Sequence, residues 1–318
     1  MPVVEAANPL LRELVSQKLT EIRAPEEILV TVEVPSDFDT RVDELEGSTG
    51  YQSLRANGDE AAAKTIALGG RRSAILLNPR YFSDLDAALA AGLGRTINHE
   101  CLHAVMNHHE EQLGDWHHDP VSRMTLVEAQ LAQVAGVLIN EYRVEAALLE
   151  LGQPNPFVSL RQVCGSLSHT LNLIAERLSE VDRPWPDVWV DVADIGSHTL
   201  LQAAYCAQDV RAGPAASQQH GACSFWRIGF GDGAWTEFAE ALGPVPNASR
   251  RLSDEDAFEH LVKVARAVAS WFEKRGFALR TVGGETHIAV QSDWWAKAAQ
   301  ALSGSVPGSS VDECLVHA

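Results

Sequence analysis

A run of five residues combines two imidazoles and a carboxylate at a spacing that suits metal chemistry. The run is His99-Glu100-Cys101-Leu102-His103. On a helix, His99 and His103 lie one turn apart on the same face, where both can bind one metal ion. Glu100 is turned about 100° away from His99, so its carboxylate is placed to act on a metal-bound water. The pattern predicts a metal site able to activate water.

The surrounding residues predict the helix that this arrangement requires. Apolar residues recur at helical spacing across the motif and predict a helix over 95–109: Ile97, Leu102, Val105 and Met106. Upstream, Ser83-Asp84-Leu85-Asp86 is typical of a capping box in which Ser83 is the N-cap. Gly92 and Gly94 interrupt the helical pattern between the two segments.

A second helix, predicted over about 124–151, carries a pair of acids. Glu141 and Glu145 are four residues apart and share a face beside an apolar stripe. Burying carboxylates beside apolar side chains costs free energy unless a positively charged group lies next to them. A metal ion and a metal-bound histidine would supply that charge. The other interpretation is a solvated face on which the two acids pair with Arg143 or its neighbours.

These two segments resemble the gluzincin group of zinc metallopeptidases, in which HExxH is followed by a helix with an Asn-Glu-x-x-x-acid pattern. The resemblance implies that His99, His103 and Glu141 bind Zn²⁺ and that Glu100 is the general base. It also implies that Glu145 hydrogen-bonds His99. The group usually has Asp at that last position, so Glu145 stays open as the alternative ligand, although the motif alignment favours Glu141.

The long spacing between His103 and Glu141 is similar to that of small intracellular ImmA/IrrE-like peptidases, and the resemblance covers about residues 70–150. It implies hydrolysis of a peptide bond in a peptide or protein, with a small sheet before the motif helix. In such peptidases the edge strand of that sheet binds the substrate backbone by strand addition. Ser73–Asn78 is the candidate for a strand of that sheet.

Other functions fit the same residues. The spacing from His103 to His118 is similar to the spacing of the third metal ligand in SprT-like proteases. The other interpretation of this region is a solvated surface loop that contains four histidines: His108, His109, His117 and His118. Two histidines and a carboxylate also suit Fe(II) in a metalloenzyme that acts on a small molecule. Two further alternatives are helix histidines that bind no metal and a binding protein on a retired peptidase scaffold.

Composition narrows the function classes. The 318 residues include 43 acids and 25 bases, which gives a net charge of −18 and opposes binding to nucleic acid or anionic membranes. The five scattered cysteines predict free thiols in a reducing compartment, and Cys101 is expected to pack rather than bind metal. We found neither a signal-peptide pattern nor an apolar run of about 18 residues, so we expect a cytoplasmic protein.

The fold class predicted from the whole chain is α+β and predominantly helical. We expect a zincin-like metallopeptidase domain over 1–155 and a mostly helical C-terminal domain over 156–318. In the first, patterns predict a helix over 9–23, a strand at 28–34 and a loop over 35–62. They also predict strands at 65–68 and 73–77, which form a candidate hairpin around Gly69-Gly70-Arg71-Arg72. In the second, they predict helices near 157–180, 195–212, 233–242, 253–275 and 292–303, and a β-hairpin near 277–290. Tyr142 is expected to pack in the core.

Overall fold

The computed structural model describes residues 2–53, 60–90, 92–111, 113, 124–156, 158–159, 163, 170, 173–174, 176–177, 185–216, 226, 229–283 and 285–290. The chain forms two compact units. The first contains Met1–Gln112, Ala146–Gln153 and Asn247–Leu252, and the second contains Leu113–Glu145, Pro154–Pro246 and Ser253–Ala318. The domain boundary predicted at residue 155 stays a prediction. The predicted α+β, mostly helical fold class is confirmed.

A four-stranded mixed sheet forms the base of the first unit. Its strands, in chain order, are β1 (Val3–Ala6), β2 (Leu29–Glu33), β3 (Ala63–Gly69) and β4 (Arg72–Leu77). Their order in the sheet is β1-β2-β4-β3. The pairs β1/β2 and β2/β4 are parallel, whereas β3 and β4 form the predicted antiparallel hairpin. β1 was not predicted, because four residues are too short for a clear alternating pattern.

Helix α1 (Pro9–Glu21) connects β1 to β2 and matches its prediction. Asn8 is the N-cap, and its side chain accepts hydrogen bonds from the backbone nitrogens of Leu10 and Leu11. Pro9 occupies the first helical position, where its missing N–H costs nothing. The helix buries Leu11, Val15 and Leu19. The cap and the apolar spacing were both readable from the sequence.

The loop predicted over 35–62 is wrong in part, because this segment contains helix α2 (Phe38–Glu46). Asp37 caps its N-terminus by accepting a hydrogen bond from the Thr40 nitrogen. Its buried Phe38 and Val42 pack against Ile66 and Leu76 of the sheet. Only two of its nine residues are buried, so the apolar signal was too sparse to distinguish a helix from a polar loop.

The sheet is followed by three helices, α3 (Pro79–Phe82), α4 (Leu85–Ala90) and α5 (Gly94–His108). The predicted helix over 95–109 is confirmed, and so is the interruption at Gly92, which has a φ of +82°. The capping prediction at Ser83 is wrong. Ser83 ends α3, and the Asp84 carboxylate instead accepts a hydrogen bond from the Ala87 nitrogen at 3.0 Å.

We expect Asp84→Ala to destabilise the first unit by about 1 kcal/mol, because the mutation removes the side-chain acceptor of an exposed N-cap. Ser83→Ala is the matched control and should change the free energy of unfolding by less than about 0.5 kcal/mol. Chemical denaturation of both variants measures the difference. A larger loss for Ser83→Ala would contradict the assignment of Asp84 as the cap.

The C-terminal half of the chain is mostly helical, as predicted. Helix α6 (Leu126–Glu150) runs through residues of both units and matches its prediction. The remaining elements are α7 (Trp185–Tyr205), α8 (Ala207–Ala212), α9 (Ala234–Leu242), α10 (Asp254–Lys274), β5 (Phe277–Val282) and β6 (Glu285–Val290). The helices predicted over 233–242 and 253–275 and the β-hairpin are confirmed.

The helix predicted to begin near residue 195 begins ten residues earlier, at Trp185. Pro186 is the second residue of this helix, and proline is tolerated in the first turn of a helix. The predicted helix over 292–303 and most of the one over 157–180 lie outside the described residues. Aromatic residues pack in this unit, and the buried Trp235 indole donates a hydrogen bond to the Gly213 carbonyl. Among the described helices, none is long and apolar enough to cross a membrane.

Candidate metal site

Two buried asparagines fix the motif helix α5 within the first unit. Near its start, the Asn98 amide donates to the Gln153 side-chain oxygen at 2.7 Å. Near its end, the Asn107 amide donates to the Ser73 hydroxyl of β4 at 3.2 Å. Both side chains are nearly inaccessible to solvent, so their loss would leave buried polar groups unsatisfied. These contacts set the rotation of α5 about its axis, and sequence analysis did not single out either residue.

The two motif histidines point the same way, as the helical spacing predicts. The Nε2 atoms of His99 and His103 lie 3.2 Å apart, and their ring centroids are separated by 4.9 Å. Two nitrogens bound to one tetrahedral zinc at about 2.0–2.1 Å would lie about 3.3 Å from each other. The observed separation therefore fits two imidazoles that share a single ion.

A carboxylate from α6 completes a possible metal-binding group. One ligand atom from each of His99, His103 and Glu141 lies within 4.8 Å of the other two. His103 is buried, whereas His99 and Glu141 are half-buried, which keeps the group partly shielded from bulk water. Two imidazoles and one carboxylate suit Zn²⁺ with an open coordination position, and they also suit Fe(II). The three residues could hold an ion whose identity the donor set alone does not decide.

Glu145 does not belong to this group among the described residues. Its side chain is only 2% exposed, so a solvated face is the wrong interpretation for this acid and for the fully buried Arg143. Burial raises the pKa of the Cys206 thiol, and the negative charges of Asp209 and Glu145 raise it further. The hydrogen bond predicted between Glu145 and His99 stays a prediction.

Tyr142 packs in the core, as expected. Its side chain is fully buried, and its hydroxyl donates to the Gly243 carbonyl at 3.2 Å. The neighbouring Arg143 donates from Nε to the Pro246 carbonyl at 3.1 Å. These contacts fix α6 within the second unit, so both residues are explained by structural contacts.

Glu100 lies on the side of α5 that faces the edge strand β3. It is 6% exposed, and its Oε2 atom accepts a hydrogen bond of 2.7 Å from the hydroxyl of Thr65. The same hydroxyl lies 3.0 Å from the main-chain oxygen of Glu100. Sequence analysis missed Thr65, because nothing in the local pattern of a strand indicates which helix residue its side chain will meet.

The other candidate metal-binding residues near the motif are either buried or outside the described part of the chain. Cys101 is fully buried with a free thiol whose pKa is raised by burial, so the expectation that it packs in the core is confirmed. The predicted solvated environment is wrong for His108, which is 4% exposed and has its Nε2 3.8 Å from Glu27. His117 and His118, and with them the alternative third ligand, lie outside the described residues.

Comparisons of this chain with models of protein families, with curated proteins and with solved structures found no match.

Proposed function

We propose that this protein is a zinc-dependent metallopeptidase that hydrolyses a peptide bond in a peptide or protein. The proposal rests on the group formed by His99, His103 and Glu141, and on Glu100, which follows His99 on the helix that carries both histidines. A bound zinc ion would polarise the scissile carbonyl and lower the pKa of the attacking water. Three protein ligands leave the fourth position that this chemistry needs.

Glu100 would act as the general base and then as the general acid. Its carboxylate accepts the proton released by the attacking water and delivers the same proton to the leaving amine. The reaction balances because the water oxygen forms a bond to the carbonyl carbon as the C–N bond breaks. The proton that Glu100 carries goes to the nitrogen, so the amine leaves in a neutral form. A binding-only site would not need such a carboxylate, which argues against a retired scaffold.

The edge strand β3 is the candidate for binding the substrate backbone. The predicted strand Ser73–Asn78 corresponds to β4, which lies inside the sheet between β2 and β3. Among the described strands, β3 pairs only with β4, so its other edge has backbone groups available for an added strand. Thr65 belongs to β3 and contacts Glu100, so a peptide bound along this edge would lie near the proposed base.

The proposed location is the cytoplasm, and the proposed partners are peptides or proteins rather than nucleic acid or membranes. The acidic net charge of −18 supports both proposals. The two described free cysteines, Cys101 and Cys206, are in keeping with a reducing compartment. A peptide segment rich in Lys or Arg would be attracted by the charge.

Metal analysis of the purified protein, combined with a peptide-library digest, tests the proposed function. We expect one zinc per chain and cleavage products that disappear after chelation and return when zinc is added. Stoichiometric iron would instead favour the metalloenzyme that acts on a small molecule. A zinc-loaded protein that cleaves no member of a diverse library or of a denatured protein mixture would overturn the peptidase assignment.

A further inference from the structure

We propose that Thr65 is a positioning residue for Glu100 and sets which of its carboxylate oxygens receives the proton during catalysis. This inference rests on the proposed function, because it assigns Thr65 a role in the same reaction. It starts from one contact, the 2.7 Å hydrogen bond from the Thr65 hydroxyl to Glu100 Oε2. A length of 2.7 Å is ordinary for a hydroxyl donor and lies at the upper limit of the range for a charged oxygen acceptor.

The hydroxyl of Thr65 has one proton to donate and two oxygens of Glu100 within reach. The main-chain oxygen, at 3.0 Å, lies inside helix α5, where carbonyl groups already accept backbone hydrogen bonds. The carboxylate oxygen is closer and carries negative charge, so it is the stronger acceptor. The proton therefore points at Oε2.

The donor is itself held rigidly. Thr65 lies in the middle of β3, where it pairs with Ile75 of β4. A β-branched side chain on a strand has a restricted χ1 angle, so its hydroxyl has little freedom to follow a moving partner. Glutamate, in contrast, has three side-chain torsions, and a carboxylate that is free to rotate spends only part of its time in a productive position.

The contact also distinguishes the two oxygens of the carboxylate. Among the described residues, Oε1 of Glu100 receives no hydrogen bond from the protein, whereas Oε2 receives the one from Thr65. Oε1 is thus the oxygen available to take the proton from water, and Thr65 keeps the other oxygen occupied. Without the hydroxyl, the carboxylate can turn and present either oxygen, or neither, to the reacting water.

The variants Thr65→Val and Thr65→Ser test this role. Valine keeps the size and branching of threonine but has no donor, so we expect kcat to fall about 10-fold with KM changed less than 2-fold, since mispositioned groups cost rate rather than binding. Serine restores the donor and should recover at least half of the wild-type kcat. Thr31→Val makes the same substitution on strand β2 of the sheet and is the matched control, with kcat unchanged.

Two measurements do not depend on turnover. The first is the affinity of cobalt-loaded protein for acetohydroxamic acid, measured by absorbance titration. This ligand gives up a proton to a nearby base as it binds, and Glu100 is the proposed base. Thr65→Val should therefore weaken the affinity about 10-fold, whereas Thr31→Val should leave it unchanged. In crystals of metal-free protein, Thr65→Val should displace or disorder the Glu100 carboxylate. If Glu100 keeps its position and kcat is unchanged in Thr65→Val, the positioning role is overturned.

The outcomes separate this inference from the peptidase assignment. If no peptide is cleaved but hydroxamate affinity still depends on the Thr65 hydroxyl, Thr65 positions Glu100 in a metal site with another reaction. If peptides are cleaved and Thr65→Val behaves like Thr31→Val, the peptidase assignment stands and the positioning role is wrong.

Discussion

Replacing Glu100 with Gln is expected to lower kcat for peptide hydrolysis by about 10³-fold while zinc stays bound. A positioned general base contributes about 10²- to 10⁴-fold to such a reaction. Glutamine has nearly the same shape but cannot accept the proton, and Glu100 is not one of the three residues in the candidate metal-binding group. Steady-state kinetics on a cleaved peptide and metal analysis of the same sample measure both quantities.

Glu13→Gln is the control for this substitution, since Glu13 is an exposed residue of α1 outside the candidate site. We expect its kinetic constants to match those of the unmodified protein. If Glu100→Gln retained more than a tenth of the activity with zinc bound, another group would have to serve as the base. If it lost zinc as well, the fall in activity would say nothing about proton transfer and Glu100 would belong among the ligands.

The second large effect is expected at Glu141. We expect Glu141→Gln to weaken zinc binding by at least 100-fold, because an amide oxygen replaces one of three protein ligands and carries no charge. Zinc at about 100 times its dissociation constant should stabilise the wild-type fold by about 2.7 kcal/mol, and the variant should lose most of that gain. Competition with a chromophoric chelator and melting with and without zinc measure the two effects.

Glu145→Gln is the comparison variant, because Glu145 lies one turn further along α6 and is buried, whereas Glu141 is half-buried. We expect zinc affinity to fall by about 10-fold, as when a group that orients a ligand histidine is removed. A larger loss for Glu145→Gln than for Glu141→Gln would exchange their assigned roles. If both variants lost a negligible amount of zinc affinity, neither carboxylate would be a ligand in the proposed metal site.

Local patterns predicted the helices and the hairpins well. Helices α1, α5 and α6 have regularly spaced apolar residues, and the β3–β4 and β5–β6 hairpins have glycine-containing turns between short apolar segments. The elements that were missed lacked such a signal. α2 buries only Phe38 and Val42, and the cap at Asp84 competed with an equally plausible serine one residue earlier.

The tertiary structure also corrected the expected surroundings of several polar residues. The sequence pattern predicts a solvated loop at His108 and allows a solvated face at Glu145, but both residues are buried. Burial depends on which residues from distant parts of the chain cover a given face, and a single sequence carries little information about that. For the same reason, Asn98 and Asn107 could not be recognised as the residues that fix α5.

The sequence by itself determined the relation between His99, Glu100 and His103, because the geometry of one helix sets the directions of side chains one and four residues apart. It also indicated the acid pair on α6. The motif alignment favoured Glu141 over Glu145, but only the tertiary structure brought Glu141 to the two histidines and the Thr65 hydroxyl to Glu100. Those relations join residues far apart in the chain, and their distances depend on how complete elements pack rather than on any local periodicity.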